Sequence, residues 1–177
     1  MAAAADALGL LRLAAAVALP DALGRAQHGG GFRWLPLALA GVAATTDFVD
    51  GRLARRAGQA TRHGAALDNA ADIAFVLAGT GAGAALGLVP WTAPAAIALA
   101  FGAYAVSSLG RSVRAGGWRL ARSRIGRTAG VCNYGLVVLI AASLARPHPL
   151  WGGALVLASR GVVAINVAAV LARVVLR

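Results

Sequence analysis

Four of the six acids in this 177-residue chain fall in one stretch, 47-DFVDGRLARRAGQATRHGAALDNAAD-72. Asp47 and Asp50 are spaced i, i+3 and Asp68 and Asp72 i, i+4, so each pair shares one face of a helix. A short hairpin between the two helices brings all four carboxylates together, where like charges repel strongly unless something cationic offsets them. Arg52, Arg55, Arg56 and Arg62 are close in sequence. Pairing with them does not explain why the acids gather, because surface ion pairs contribute little. A divalent metal explains it better. An all-oxygen donor set without a His or Cys cluster suits Mg2+ or Mn2+, which commonly bridge carboxylates to substrate phosphates. The single Cys, Cys132, lies in an apolar run and reads as a packing residue, so no disulfide framework or thiolate site is available. His63 sits on the connection beside Gly64, and His28 and His148 fall on the far side of the molecule.

The elements that must position these acids are built for lipid. The chain is 59% hydrophobic with a mean hydropathy of +0.73, which points to an integral membrane protein. Six apolar runs can be counted, at 8–23, 34–49, 65–89, 91–109, 128–145 and 150–171. Spanning a bilayer takes about 20 residues of helix, so the first two runs are expected to continue as helix beyond their apolar limits. The fold class is therefore all-α integral membrane, one domain over 1–177, with six transmembrane helices and a polar active-site cavity facing the cytoplasm. The orientation comes from arginine. The connections 50–64 and 110–127 and the C-terminus carry most of the 17 basic residues, whereas the other side holds Arg25, Arg33 and Arg146. Trp34, Trp91 and Trp151 fall at the opposite ends of segments two, four and six, as interfacial anchors do. The net charge of +11 does not indicate nucleic acid, because these arginines lie between apolar runs rather than on a polar surface. The N-terminus has Asp6 in place of a basic n-region, so its apolar run reads as a first membrane helix and not as a cleavable signal. Gly79, Gly83 and Gly87 recur every four residues, a spacing for close helix packing within the chain or across a homodimer.

Written out, the acidic stretch is Asp47-x2-Asp50-Gly51-x2-Ala54-Arg55-x8-Gly64-x3-Asp68-x3-Asp72. It resembles the signature of the CDP-alcohol phosphatidyltransferases, with every defined position filled, and the six-segment layout agrees. The resemblance implies a phospholipid-biosynthesis transferase, integral to the cell membrane, that moves a phosphatidyl group from CDP-diacylglycerol to an alcohol and releases CMP. It further implies Asp47, Asp50 and Asp68 as metal ligands. Asp72 is then a ligand or the general base that takes the acceptor's proton. Asp50, Gly51, Ala54, Arg55 and Gly64 would hold the CDP-alcohol. The two glycines and Ala54 allow close approach of the nucleotide, and Arg55 is able to pair with a phosphate. The chemistry asks for such residues in its own right: two Mg2+ or Mn2+ ions held by carboxylates neutralise a diphosphate and align an incoming hydroxyl. With about seven residues before the first run, the amphipathic interfacial helix that many relatives carry is not expected.

The acceptor half of the site is less sharply written. The loop 119-RLARSRIGRTAG-130 resembles the basic stretch of many family members, with Gly126-Arg127-Thr128 in place of their usual ending. Arg124 and Arg127 are candidate ligands for an acceptor phosphate, weighed against plain positive-inside topology and attraction to anionic lipid. Arg160 lies mid-run in segment six, where a lipid-facing arginine costs roughly 2.5–3.5 kcal/mol. It is expected to face the bundle interior, a watery cavity or an anion, with an acceptor phosphate, or else Asn133 or a backbone carbonyl, as its partner. Arg12, within segment one, invites the same question. Arginine-rich phosphate sites favour glycerol 3-phosphate or inositol phosphate as acceptor, with phosphatidylglycerol and serine as alternatives. Two other classes compete. A membrane prenyltransferase also uses Asp and Mg2+, but without Asp-Gly-x2-Ala-Arg, and an ion transporter explains the carboxylates but not Gly51, Arg55 and Gly64 in register.

Overall fold

The apolar runs fold into six α-helices: α1 (Ala2–Gln27), α2 (Leu35–Ala57), α3 (Arg62–Ala85), α4 (Thr92–Arg114), α5 (Arg124–Ala145) and α6 (Leu150–Val175). The structure, a computed structural model, describes the backbone over residues 2–30, 32–57, 62–114 and 124–175, and side chains over 9–30, 32–46, 69–108 and 124–174. Among the described residues every element is helical and none is a strand. The first two runs do continue as helix past their apolar limits, α2 by eight residues through the acidic and arginine-rich stretch to Ala57.

The third run stops earlier than its hydropathy suggests. Gly87 has φ +72°, a left-handed conformation that glycine alone enters without strain. Around it Leu88 N–H donates to Gly83 O (2.9 Å) and Gly87 N–H to Ala84 O (3.0 Å), the paired bonds of a Schellman motif. Gly87 is therefore a helix terminator, and a Cβ there would touch nothing within 4 Å. The other two glycines do pack closely. A Cβ on Gly79 would lie 2.8 Å from Val137 Cγ1 and 2.9 Å from Leu19 Cδ2, and one on Gly83 would lie 2.8 Å from Ile140 Cδ1. That face of α3 is thus occupied within the chain, by α1 and α5.

Contacts between elements give the helix directions. Arg12 of α1 meets Asp72 of α3, and Gln27 fifteen residues on donates to Leu86 O. Likewise Tyr134 of α5 meets Asp72, whereas Val137 and Ile140 lie against Gly79 and Gly83. So α1, α3 and α5 run the same way. The neighbours form a closed ring, α2–α1–α3–α4–α6–α5 and back to α2, and α5 also reaches across it to α3 and α1. At its centre Leu19, Leu23, Phe75, Val76, Leu136, Val137 and Ile140 are buried.

Several buried hydroxyls bond within their own helix, as groups shielded from water require. Thr80, Ser107 and Ser159 hydroxyls donate to the carbonyl four residues back and Ser143 to the carbonyl three back. Asn133 of α5 and Asn166 of α6 bond each other reciprocally, Asn166 Nδ2 to Asn133 Oδ1 at 2.7 Å. The outer faces are apolar: Leu10, Val17, Leu99, Val106, Val131, Leu157 and Leu171 are all exposed. So wide an apolar surface marks a lipid or protein contact. Among the described residues two helices are long and apolar enough to cross a membrane, Arg124–Ala145 and Leu150–Val174, and Leu35–Thr46 and Thr92–Ser108 are apolar over shorter lengths.

Candidate active site

Asp72 stands where α1, α3 and α5 meet. From α1, Arg12 Nη1 lies 2.9 Å from Asp72 Oδ1, with the arginine side chain fully buried and the aspartate 31% exposed. From α5, the Tyr134 hydroxyl donates to the same Oδ1 at 3.1 Å. The Tyr134 ring stacks on Phe75, centroids 5.3 Å apart and planes 19° from parallel. Phe75 and Asp72 are three residues apart on α3 and therefore share a face. One helix thus presents a carboxylate and an aromatic platform to a single tyrosine. The buried Arg12 is tolerable in an apolar bundle because a carboxylate accompanies it.

The remaining motif residues are distributed over the two adjoining helix halves. Asp47, Asp50, Gly51, Ala54 and Arg55 belong to α2, and Gly64 and Asp68 to α3, but their side chains lie outside the described residues. Asp68 precedes Asp72 by four residues, about 6 Å along the axis. With four residues, 58–61, between α2 and α3, the C-terminal half of α2 and the start of α3 belong to the same end of the bundle. Arg124 and Arg127 are exposed in the first turn of α5. Arg127 is seven residues before Tyr134, about 10 Å along the helix, on the motif side of Asp72.

Two of the alternatives open for Arg160 fall away. Asn133 is not the partner of Arg160, since its amide is committed to Asn166. Nor does Arg160 face the interior: Leu155, Ser159, Val162 and Asn166 form the buried face of α6, and Arg160 is exposed beside Val156 and Val167. Tyr134 is a site residue the sequence pattern did not flag. The available signal was a hydroxyl-bearing aromatic next to Asn133 in an otherwise apolar run, a polar pair that a membrane helix carries only for a reason.

The described geometry places one carboxylate of the acidic motif at a three-helix junction, and the chain matches the CDP-alcohol phosphatidyltransferase family over residues 2–175. The chain belongs to this family. Its members are CDP-alcohol phosphotransferases, which transfer a substituted phosphate group from a CDP-alcohol to an acceptor alcohol in phospholipid biosynthesis. No individual curated protein matches the chain closely enough to narrow that placement. Members of the family in general depend on divalent metal. Among the described residues there is no cluster of three His, Cys, Asp or Glu side chains, because of the four motif aspartates only Asp72 has a described side chain. The donor chemistry fits a hard cation, being entirely carboxylate.

Proposed function

We propose that this phosphotransferase moves the phosphatidyl group of CDP-diacylglycerol to a phosphate-bearing alcohol, glycerol 3-phosphate or inositol phosphate, and releases CMP. The observation that carries the reading is the complete acidic motif within a family match over residues 2–175, with its last carboxylate held at the junction of α1, α3 and α5. In this reading the whole chain is one six-span domain of the cell membrane, with the motif at the cytoplasmic face. Exposed arginines at the start of α5 support a phosphorylated acceptor. Phosphatidylglycerol and serine are the alternative acceptors.

Asp47, Asp50, Asp68 and Asp72 would hold two Mg2+ or Mn2+ ions, which when bound supply charge neutralisation to the diphosphate and its leaving oxygen. The protein's own groups do the rest. Asp50, Gly51, Ala54, Arg55 and Gly64 bind and orient the CDP moiety. The acceptor hydroxyl attacks the lipid-bearing phosphorus. As the new P–O bond forms, its proton passes to the Asp72 carboxylate, and the bond from that phosphorus to the bridging oxygen breaks. CMP leaves with that oxygen. Arg124 and Arg127 hold the acceptor phosphate, whereas Arg160 is exposed on the outer side of α6, about 9 Å beyond the Asn133–Asn166 pair, too far from Arg127 to share one phosphate with it.

The test is CMP release from CDP-diacylglycerol by purified protein with Mg2+ or Mn2+. Glycerol 3-phosphate, inositol phosphate, phosphatidylglycerol and serine are offered in turn. Release with either phosphorylated alcohol is expected. Release with serine alone contradicts the acceptor assignment, and release with none contradicts the function.

A further inference from the structure

The two donors to Asp72 come from different helices and converge on one oxygen. Arg12 Nη1 on α1 and Tyr134 Oη on α5 both bond Oδ1, at 2.9 and 3.1 Å. An aspartate side chain has two rotatable bonds, and a single donor leaves its carboxylate free to swing about that contact. Two donors from separate elements restrain both torsions. The tyrosine is itself held, because its ring is stacked on Phe75, which is fully buried.

We infer that Tyr134 is a positioning residue for the transfer reaction. Together with Arg12 it holds the Asp72 carboxylate at the junction of α1, α3 and α5, in the orientation from which it takes the acceptor's proton. The inference rests on the reading of Asp72 as the base. The two donors differ in what else they do. Arg12 is buried and carries the charge that compensates Asp72, so its removal also disturbs folding. The Tyr134 hydroxyl is neutral and its ring already has a packing partner. Tyr134→Phe therefore removes the hydrogen bond and keeps the stack on Phe75, which separates positioning from packing. A base displaced by a fraction of an ångström from its line of attack loses rate steeply, while the binding of either substrate does not depend on that alignment.

The experiment measures CMP release from CDP-diacylglycerol in detergent micelles with Mn2+, using whichever of glycerol 3-phosphate, inositol phosphate, phosphatidylglycerol and serine the wild type accepts. Donor binding is measured separately, as the Mn2+-dependent Kd for CDP-diacylglycerol. For Tyr134→Phe a fall in kcat of about tenfold is expected, with KM for both substrates, donor Kd and unfolding midpoint all within about twofold or a degree of wild type. Phe75→Leu, which removes the ring platform, is expected to lower kcat about threefold with Tyr134 present and to have no further effect on kcat in Tyr134→Phe. An unchanged kcat in Tyr134→Phe overturns the inference. So does a loss that appears wholly in donor Kd or KM, or a Phe75→Leu effect that is the same in both backgrounds. Asp72→Asn is the control that separates the two levels. If it turns over near normally, the reading of Asp72 as base fails and the inference with it; if it is inactive while Tyr134→Phe is normal, the positioning role alone fails.

Discussion

Replacing Asp72 by alanine takes the carboxylate away from a guanidinium that has no exposed surface. Arg12 is 0% exposed and its Nη1 lies 2.9 Å from Asp72 Oδ1, whereas Asp72 retains 31% of its side-chain surface. The consequences of removing either partner are therefore unequal. With charge centres about 4 Å apart and an effective dielectric of about 20, the attraction is about 4 kcal/mol. Breaking a buried pair by deleting one partner costs about 3–5 kcal/mol. The partial exposure of Asp72 screens the pair and puts Asp72→Ala near the lower end, about 3 kcal/mol. Arg12→Met leaves a carboxylate that solvent and the Tyr134 hydroxyl still reach, at a cost of about 1–2 kcal/mol. The double variant, with neither charge, should be more stable than Asp72→Ala alone, by about 2 kcal/mol. Reversible unfolding in mixed detergent micelles, followed by tryptophan fluorescence, measures all three. If Asp72→Ala unfolds within about 0.5 kcal/mol of wild type, or the double variant loses the full sum of the singles, the pair is not what makes Arg12 tolerable in the bundle.

The same unfolding measurement checks the packing assignments. Gly79→Ala drives a Cβ against Val137 Cγ1 and Leu19 Cδ2 and should cost about 1–3 kcal/mol, since the β-branched valine cannot turn aside. Gly83→Ala meets mainly the terminal methyl of Ile140, which can move, and should cost less; equal costs would contradict the assignment. Asn166→Leu strands the Asn133 amide in the interior and should cost about 1–3 kcal/mol, most of it recovered when Asn133 is also made leucine. In activity assays Arg127→Ala should raise the acceptor KM about tenfold, equivalent to 1.4 kcal/mol, with donor affinity unchanged; a normal acceptor KM removes Arg127 from the acceptor site.

The helices were legible because apolar runs of bilayer length leave few alternatives, and the turn glycines and prolines lie between them. The length of α2 was legible too, since its apolar run was too short to be the whole helix. The end of α3 was not, because Gly87 continues the four-residue spacing of Gly79 and Gly83 and only its backbone conformation reveals a cap. In the site, the acidic motif named Asp72 by spacing alone, a local property of one hairpin. Its partners are sixty and sixty-two residues away, and nothing in their local sequence says which carboxylate they meet. The register of parallel α1, α3 and α5 decides that. Arg160 shows the opposite failure: hydropathy marked it as anomalous, but the face of α6 it occupies follows from where Asn166 and Ser159 turn inward.

The central claim is that the phosphorus bearing the diacylglycerol is the one transferred. CDP-diacylglycerol labelled with 32P at that phosphorus, incubated with the purified protein, a divalent metal and the accepted alcohol, tests it directly. All released label is predicted to appear in the new lipid and none in the CMP, with formation of labelled lipid lost in Asp72→Asn. Label recovered in the nucleotide, or no labelled lipid with any of the four acceptors, would contradict the account.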